Sequence, residues 1–129
     1  MRSKVEQGRA AEAMKYVEKA TKNDEFKSYA KKVPMMIKSH GLAPALAFIK
    51  SKNKRAYDTI YADIITWLKT DIKRVAPDIT TKVPNNTDLS FVTYLVNLED
   101  PAVYRAITNE VLAFLNWYRR FAEALTPKT

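Results

Sequence analysis

Apolar residues recur along this chain at helical spacing, and their stripes define the elements one after another. A first helix is expected over about 4–22, with a thin inward stripe of Ala10, Ala13, Met14 and Val17. So weak a stripe places it at the edge of a bundle. Ser3 and Glu6 have the spacing of a capping box at its start. A second helix, about 24–40, carries Phe26, Tyr29, Ala30, Val33, Met36 and Ile37 on one side. Pro34 removes a backbone donor from it and should kink it near Lys31 to Val33, and Gly41 supplies the stop. A short third helix, about 44–50, begins on Pro44, where a missing amide hydrogen costs nothing, and turns Ala45, Leu46 and Ile49 inward.

The clearest stripe is Tyr57, Ile60, Tyr61, Ile64, Leu68, Ile72 and Val75, which predicts a fourth helix over about 55–75. Asp71 falls on its apolar side and is expected to pair with Arg74. The stretch 76–87, with Pro77 and Pro84, is the longest connection, either mobile or a contact element. A fifth helix is expected over about 88–98, carrying Phe91, Val92, Leu95 and Leu98. The last, about 101–125, has Asp100 as N-cap and Pro101 as first residue. Its core face is Val103, Ile107, Val111, Phe114, Leu115, Tyr118, Phe121 and Leu125. Trp117 lies off that face, on a side strip with Ala106, Ala113 and Ala124. The expected fold is all-α, a compact bundle of about six helices in a single domain spanning 1–129.

Composition narrows the chemistry. With no cysteine, disulfides and thiolate metal sites are excluded, and with His40 as the one histidine a His-rich metal site is excluded too. Only Gly8 and Gly41 are glycines, so phosphate-cradling loops and Asn-Gly hairpins are absent. The opening MRSKVEQGRAAEAM is polar and lacks the apolar segment of a signal peptide, and no apolar run reaches the ~20 residues of a membrane span. A soluble cytoplasmic protein is expected. His40 is read on the inward face at the end of the second helix, where a structural role is expected over a catalytic one. The acidic residues, scattered singly among lysines, read as ordinary surface rather than as a catalytic pair. No catalytic residue, metal site or cofactor is expected.

The net charge of +8, from 22 Lys and Arg against 14 Asp and Glu, favours a polyanionic partner. The run Lys50, Lys52, Lys54, Arg55 would suit phosphate contacts, and Arg55, Lys69 and Lys73 extend it along the outward face of the fourth helix. Arg119 and Arg120 form a second basic pair. Few aromatics interleave these charges, so a sequence-independent contact with backbone phosphates fits better than base stacking. The alternative is a solvated lysine-rich linker. The strip Ala106, Ala113, Trp117, Ala124 is a candidate subunit contact, the alternative being that the first helix covers it within the chain.

Two segments carry a resemblance: VPMMIKSHGLAPALAFIKSK, Val33 to Lys52, and YRAITNEVLAFLNWYRRFAEAL, Tyr104 to Leu125. With IYADIITWL and RAAEAMKYVEKA between and before them, they resemble the small subunit of the type III-B (Cmr) CRISPR effector complex. The resemblance covers most of the chain and consists of core-packing patterns, and it gives no place to 76–87. It implies a non-enzymatic helical bundle whose copies stack into a short filament. That filament would line a basic groove holding the guide RNA–target RNA duplex, beside the other subunits of the complex, in antiviral defence. The residues alone leave two other readings open, a free-standing RNA- or DNA-binding helical protein and a protein-binding adaptor without nucleic-acid contact.

Overall fold

Seven helices occur in the computed structural model, which describes residues 4–128, and no strand occurs among those residues. They are α1 (Lys4–Lys19), α2 (Asp24–His40), α3 (Leu42–Ser51), α4 (Arg55–Thr70), α5 (Ile79–Lys82), α6 (Ser90–Val96) and α7 (Pro101–Leu125). The architecture is the all-α single bundle expected, with one helix more. Ser3, expected from the sequence to cap α1, lies outside the described residues.

Local chemistry explains where the elements stop. α1 ends at Lys19 rather than Lys22, where the Lys22 ammonium folds back onto the carbonyls of Val17, Glu18 and Ala20 at 3.3, 2.9 and 3.2 Å. Asn23 caps α2, accepting from the Phe26 amide at 2.8 Å. α2 runs unbroken through Pro34, which is buried. Gly41 then takes φ 94°, a conformation that suits glycine, and its amide closes on Ile37 O at 2.9 Å. α3 starts at Leu42, two residues before Pro44, because the Tyr104 hydroxyl accepts from the Ala43 amide at 2.9 Å.

The largest departure is at the end of α4, which stops at Thr70. Asp71 is buried, 3% exposed, and its carboxylate accepts from the backbone amides of Lys73 and Val75 at 3.0 and 3.4 Å. It therefore builds a turn out of the helix instead of pairing with the Arg74 side chain. Arg74 sits at φ 51°, and Ile72, expected inside, is 63% exposed. The connection after it is docked: Ala76, Ile79 and Val83 are buried, and Tyr94 donates to Pro77 O at 2.8 Å. α6 is shorter than expected, since Asp88 uses its side chain to hold the Ser90 amide at 2.9 Å and its carbonyl to accept from Tyr61 at 2.6 Å.

α7 is the spine. α1 and α2 pack on it most extensively and α4 less so, while α3 packs on α2 and α4, and α6 on α3 and α5. The core centres on stacked and edge-on rings: Trp67 lies parallel to Phe114 at 5.4 Å, and Phe114 and Phe26 both meet Tyr118, at 5.7 and 5.9 Å. Leu68 is 2% exposed and Ile60, Ile64 and Ile65 are fully buried.

Candidate nucleic-acid and subunit interfaces

The basic run occupies the corner between α3 and α4. Lys50 lies in the last turn of α3, Lys52 is its C-cap, Lys54 is at the N-cap position of α4 and Arg55 opens it. The four are not equivalent. Lys50 is partly buried, pairs with Asp58 at 3.2 Å and lies over the Tyr61 ring at 5.3 Å. Lys52 rests over the Phe48 ring at 4.8 Å, still exposed. Lys54 and Arg55 are exposed, and Arg55 lines a cleft with Lys19, Thr59 and Asp63. Lys69 donates to Asn86 at 2.6 Å, so it is turned toward the 76–87 connection. Lys73 lies beyond the end of α4 and reaches back to Glu110 at 3.2 Å. Arg55, Lys69 and Lys73 therefore do not form one outward line on a single helix. Arg120 is exposed, and Arg119 is half-buried and bonds Asn116 at 3.4 Å.

The charge is distributed in a way the run alone does not reveal. Between Phe26 and Tyr57 there are eight Lys and Arg and no Asp or Glu. The rest of the chain holds fourteen of each sign, so the whole excess of +8 resides in α2, α3 and the start of α4. The signal was present in the spacing of the carboxylates, not in that of the lysines.

On the side strip, Trp117 is half-buried, and its indole nitrogen donates to Glu6 of α1 at 2.7 Å. Ala106 and Ala113 are half-buried and Ala124 is exposed. α1 covers part of this strip within the chain, and its C-terminal end is open. His40 is exposed rather than inward, because the helix ends there and Gly41 turns the chain away.

Two carboxylates are not the ordinary surface they were expected to be. Glu110 of α7 is 1% exposed and collects three donors: Arg9 at 2.7 and 2.9 Å, Trp67 Nε1 at 3.0 Å and Lys73 at 3.2 Å. Burial pushes its carboxyl up, but the bonds from Arg9, Trp67 and Lys73 outweigh that and hold it below the usual range. The Arg9 guanidinium is raised by the same bond to Glu110. Asp63 accepts from the buried Tyr118 hydroxyl at 2.7 Å. Burial pushes Asp63 up to about 6, against the opposing Tyr118 bond and the Lys19 charge. Each acid stands alone: among the described residues no three His, Asp or Glu side chains converge as metal ligands would.

The profile of the family described as CRISPR-associated protein (Cas_Cmr5) matches residues 5–125. The chain belongs to the Cmr5 family. It is similar to the CRISPR system Cmr subunit Cmr5 of Thermus thermophilus, 28% identical over 124 residues, which is 96% of this chain and 95% of the relative. The crystal structure of a CRISPR-associated Cmr5 family protein from the same organism superposes with a TM-score of 0.72 at 26% identity. That match covers 97% of this chain and all of the other. No helix among the described residues is long and apolar enough to cross a membrane.

Proposed function

We propose that this chain is a non-catalytic subunit of a Cmr-type CRISPR ribonucleoprotein, supplying shape and positive charge to the groove that holds the guide–target duplex. The observation that carries this reading is the segregation of the whole net charge into the acid-free segment from Phe26 to Tyr57. A polyanion approaching α2 and α3 meets no carboxylate on that segment, and each phosphate neutralised there releases counterions. Lys52, Lys54 and Arg55, exposed at the α3–α4 corner, are the nearest to hand for phosphates, with Lys50 behind them and Arg120 a further contact point. Contacts of this kind position a duplex without reading its sequence, which base pairing with the guide already does. Copies stacked through the open end of the Trp117 strip near Ala124 would repeat the patch along the duplex, and repetition raises affinity steeply.

The test is a Lys50/Lys52/Lys54/Arg55→Ala variant assembled into the complex, with target RNA affinity measured at several salt concentrations. Affinity should fall about equally for all targets, and each lost contact should reduce the slope of log K against log[salt] by roughly 0.7–0.9. Unchanged affinity and slope would remove this face from the groove.

A further inference from the structure

We propose that the shallow apolar groove between α2 and α3 docks an acidic amphipathic helix presented by another protein subunit of the assembly. This rests on the chain's place in a Cmr-type complex, but not on whether the α3–α4 corner meets RNA.

Two adjoining depressions of about 380 and 280 Å³ share Met36, His40 and Phe48 as walls. Met35 and Phe48 line the first and are 60% and 45% exposed, so two large apolar side chains face water on one groove. Two such side chains together on one groove make an apolar patch of the kind that partners cover. The methionines add to this, since unbranched thioethers repack against a partner's side chains at little cost.

Two features select the partner. The first is charge: Lys32 stands at the rim, away from the α3–α4 corner, with no carboxylate partner among the described residues. With no Asp or Glu from Phe26 to Tyr57, acidic residues flanking an apolar stripe would meet only attraction. The second feature separates protein from nucleic acid. A base would stack on the face of Phe48, but the Lys52 ammonium already sits 4.8 Å above that ring. Beside that ring the thioethers of Met35 and Met36 line the groove, which suits apolar anchors at i, i+3 or i+4 and i+7 of a helix.

The experiment uses the reconstituted complex, with the photoreactive amino acid p-benzoylphenylalanine at position 35 and irradiation followed by peptide mass spectrometry. The expected cross-link is to a helical, Asp- or Glu-rich segment of a different protein subunit. A cross-link to RNA, a cross-link to a second copy of this chain, or none at all overturns the proposal. In parallel, incorporation of labelled subunit into complex lacking it is measured for Met35→Glu, Met35→Lys and Phe48→Ser. Met35→Glu and Phe48→Ser should each weaken incorporation about tenfold or more, with Met35→Lys clearly milder. Equal effects of Glu and Lys at position 35, or wild-type incorporation of Phe48→Ser, overturn it. Because these side chains are exposed, thermal melts should stay unchanged, and the position-35 pair decides the matter if Phe48→Ser melts early. Target RNA affinity per incorporated subunit distinguishes the two readings. If the position-35 and position-48 variants incorporate normally while the Lys50/Lys52/Lys54/Arg55→Ala variant loses RNA affinity, the docking groove falls and the RNA face stands.

Discussion

Replacing Glu110 by alanine should be among the most damaging single changes available to this chain. The carboxylate is buried under α1 and α4, and three donors converge on it. Their fates differ after truncation. Lys73, 44% exposed at the side chain, returns to water and contributes little. Trp67, 3% exposed, loses its acceptor and is left with a buried N–H, which costs ~1–3 kcal/mol. Arg9, 13% exposed, keeps only Glu6 at 2.9 Å, so its charge is half-compensated. Together these give a destabilisation of ~3–5 kcal/mol, the range for breaking a buried pair by deleting one member. Glu110→Gln keeps an acceptor for Trp67 but not the charge, and should cost roughly 1.5–3 kcal/mol. Urea denaturation followed by tryptophan fluorescence measures both: Cm should fall by about 1 M or more for Glu110→Ala with m unchanged. The pH dependence adds a sign. The folded carboxyl lies below its ordinary range, so its stabilisation is fully present above the unfolded value of about 4.3 and is lost as pH falls through the folded value. The gap between wild type and Glu110→Gln should therefore be flat from pH 7 to 5 and close below about 4. A cost under 1 kcal/mol for Glu110→Ala at pH 7, or a gap that widens on acidification, would refute the reasoning.

Leu68→Ala should cost ~2–5 kcal/mol in the same urea assay, since Leu68 is 2% exposed in the α4 stripe. Asp63 behaves oppositely to Glu110: its raised carboxyl penalises the folded state when ionised, so stability should rise by roughly 1–3 kcal/mol as pH falls from above 6 toward 4. Asp63→Asn, still able to accept from Tyr118, should abolish that slope, and a slope that survives would locate it elsewhere. Trp117→Ala should destabilise the isolated chain by roughly 2–4 kcal/mol, because its indole packs near Phe121 and bonds Glu6 within the chain. A monomer that melts as wild type while assembly weakens would instead give Trp117 to a subunit contact.

How much was legible in the sequence differs by element. α2 and α7 follow from apolar spacing with a stop or cap at each end: Gly41 closes one, and Asp100 with Pro101 opens the other. The end of α4 was not legible, because Ile72 and Val75 continue the apolar period while Asp71 diverts the backbone by binding amides two and four residues on. Periodicity records which residues are apolar and is blind to a side chain that competes for backbone donors. Glu110 carries a sign in the sequence itself: it sits among Ile107, Val111 and Phe114, at a core position of the α7 stripe. An acid in such a place needs a buried cation, and Arg9 is the answer from the thin face of α1. The candidate basic site was legible as a cluster in 50–55, but which lysines are already engaged depends on Asp58, Asn86 and Glu110, partners that only the tertiary fold brings near.

The pairing of Arg9 with Glu110 spans 101 positions, and α1 packs chiefly on α7, the last helix. On the ribosome, α1 emerges long before its main partner is synthesised. At ordinary elongation rates the intervening stretch takes on the order of 5–20 s to make. During that interval Val17 and Ala13 have no α7 to cover them, and the Arg9 guanidinium stays solvated. The contacts between α1 and α7 therefore form only once α7 has left the exit tunnel. The bundle's final locking step waits for release of α7, and a ribosome stalled before Glu110 would present α1 as an unpaired amphipathic helix to chaperones and proteases.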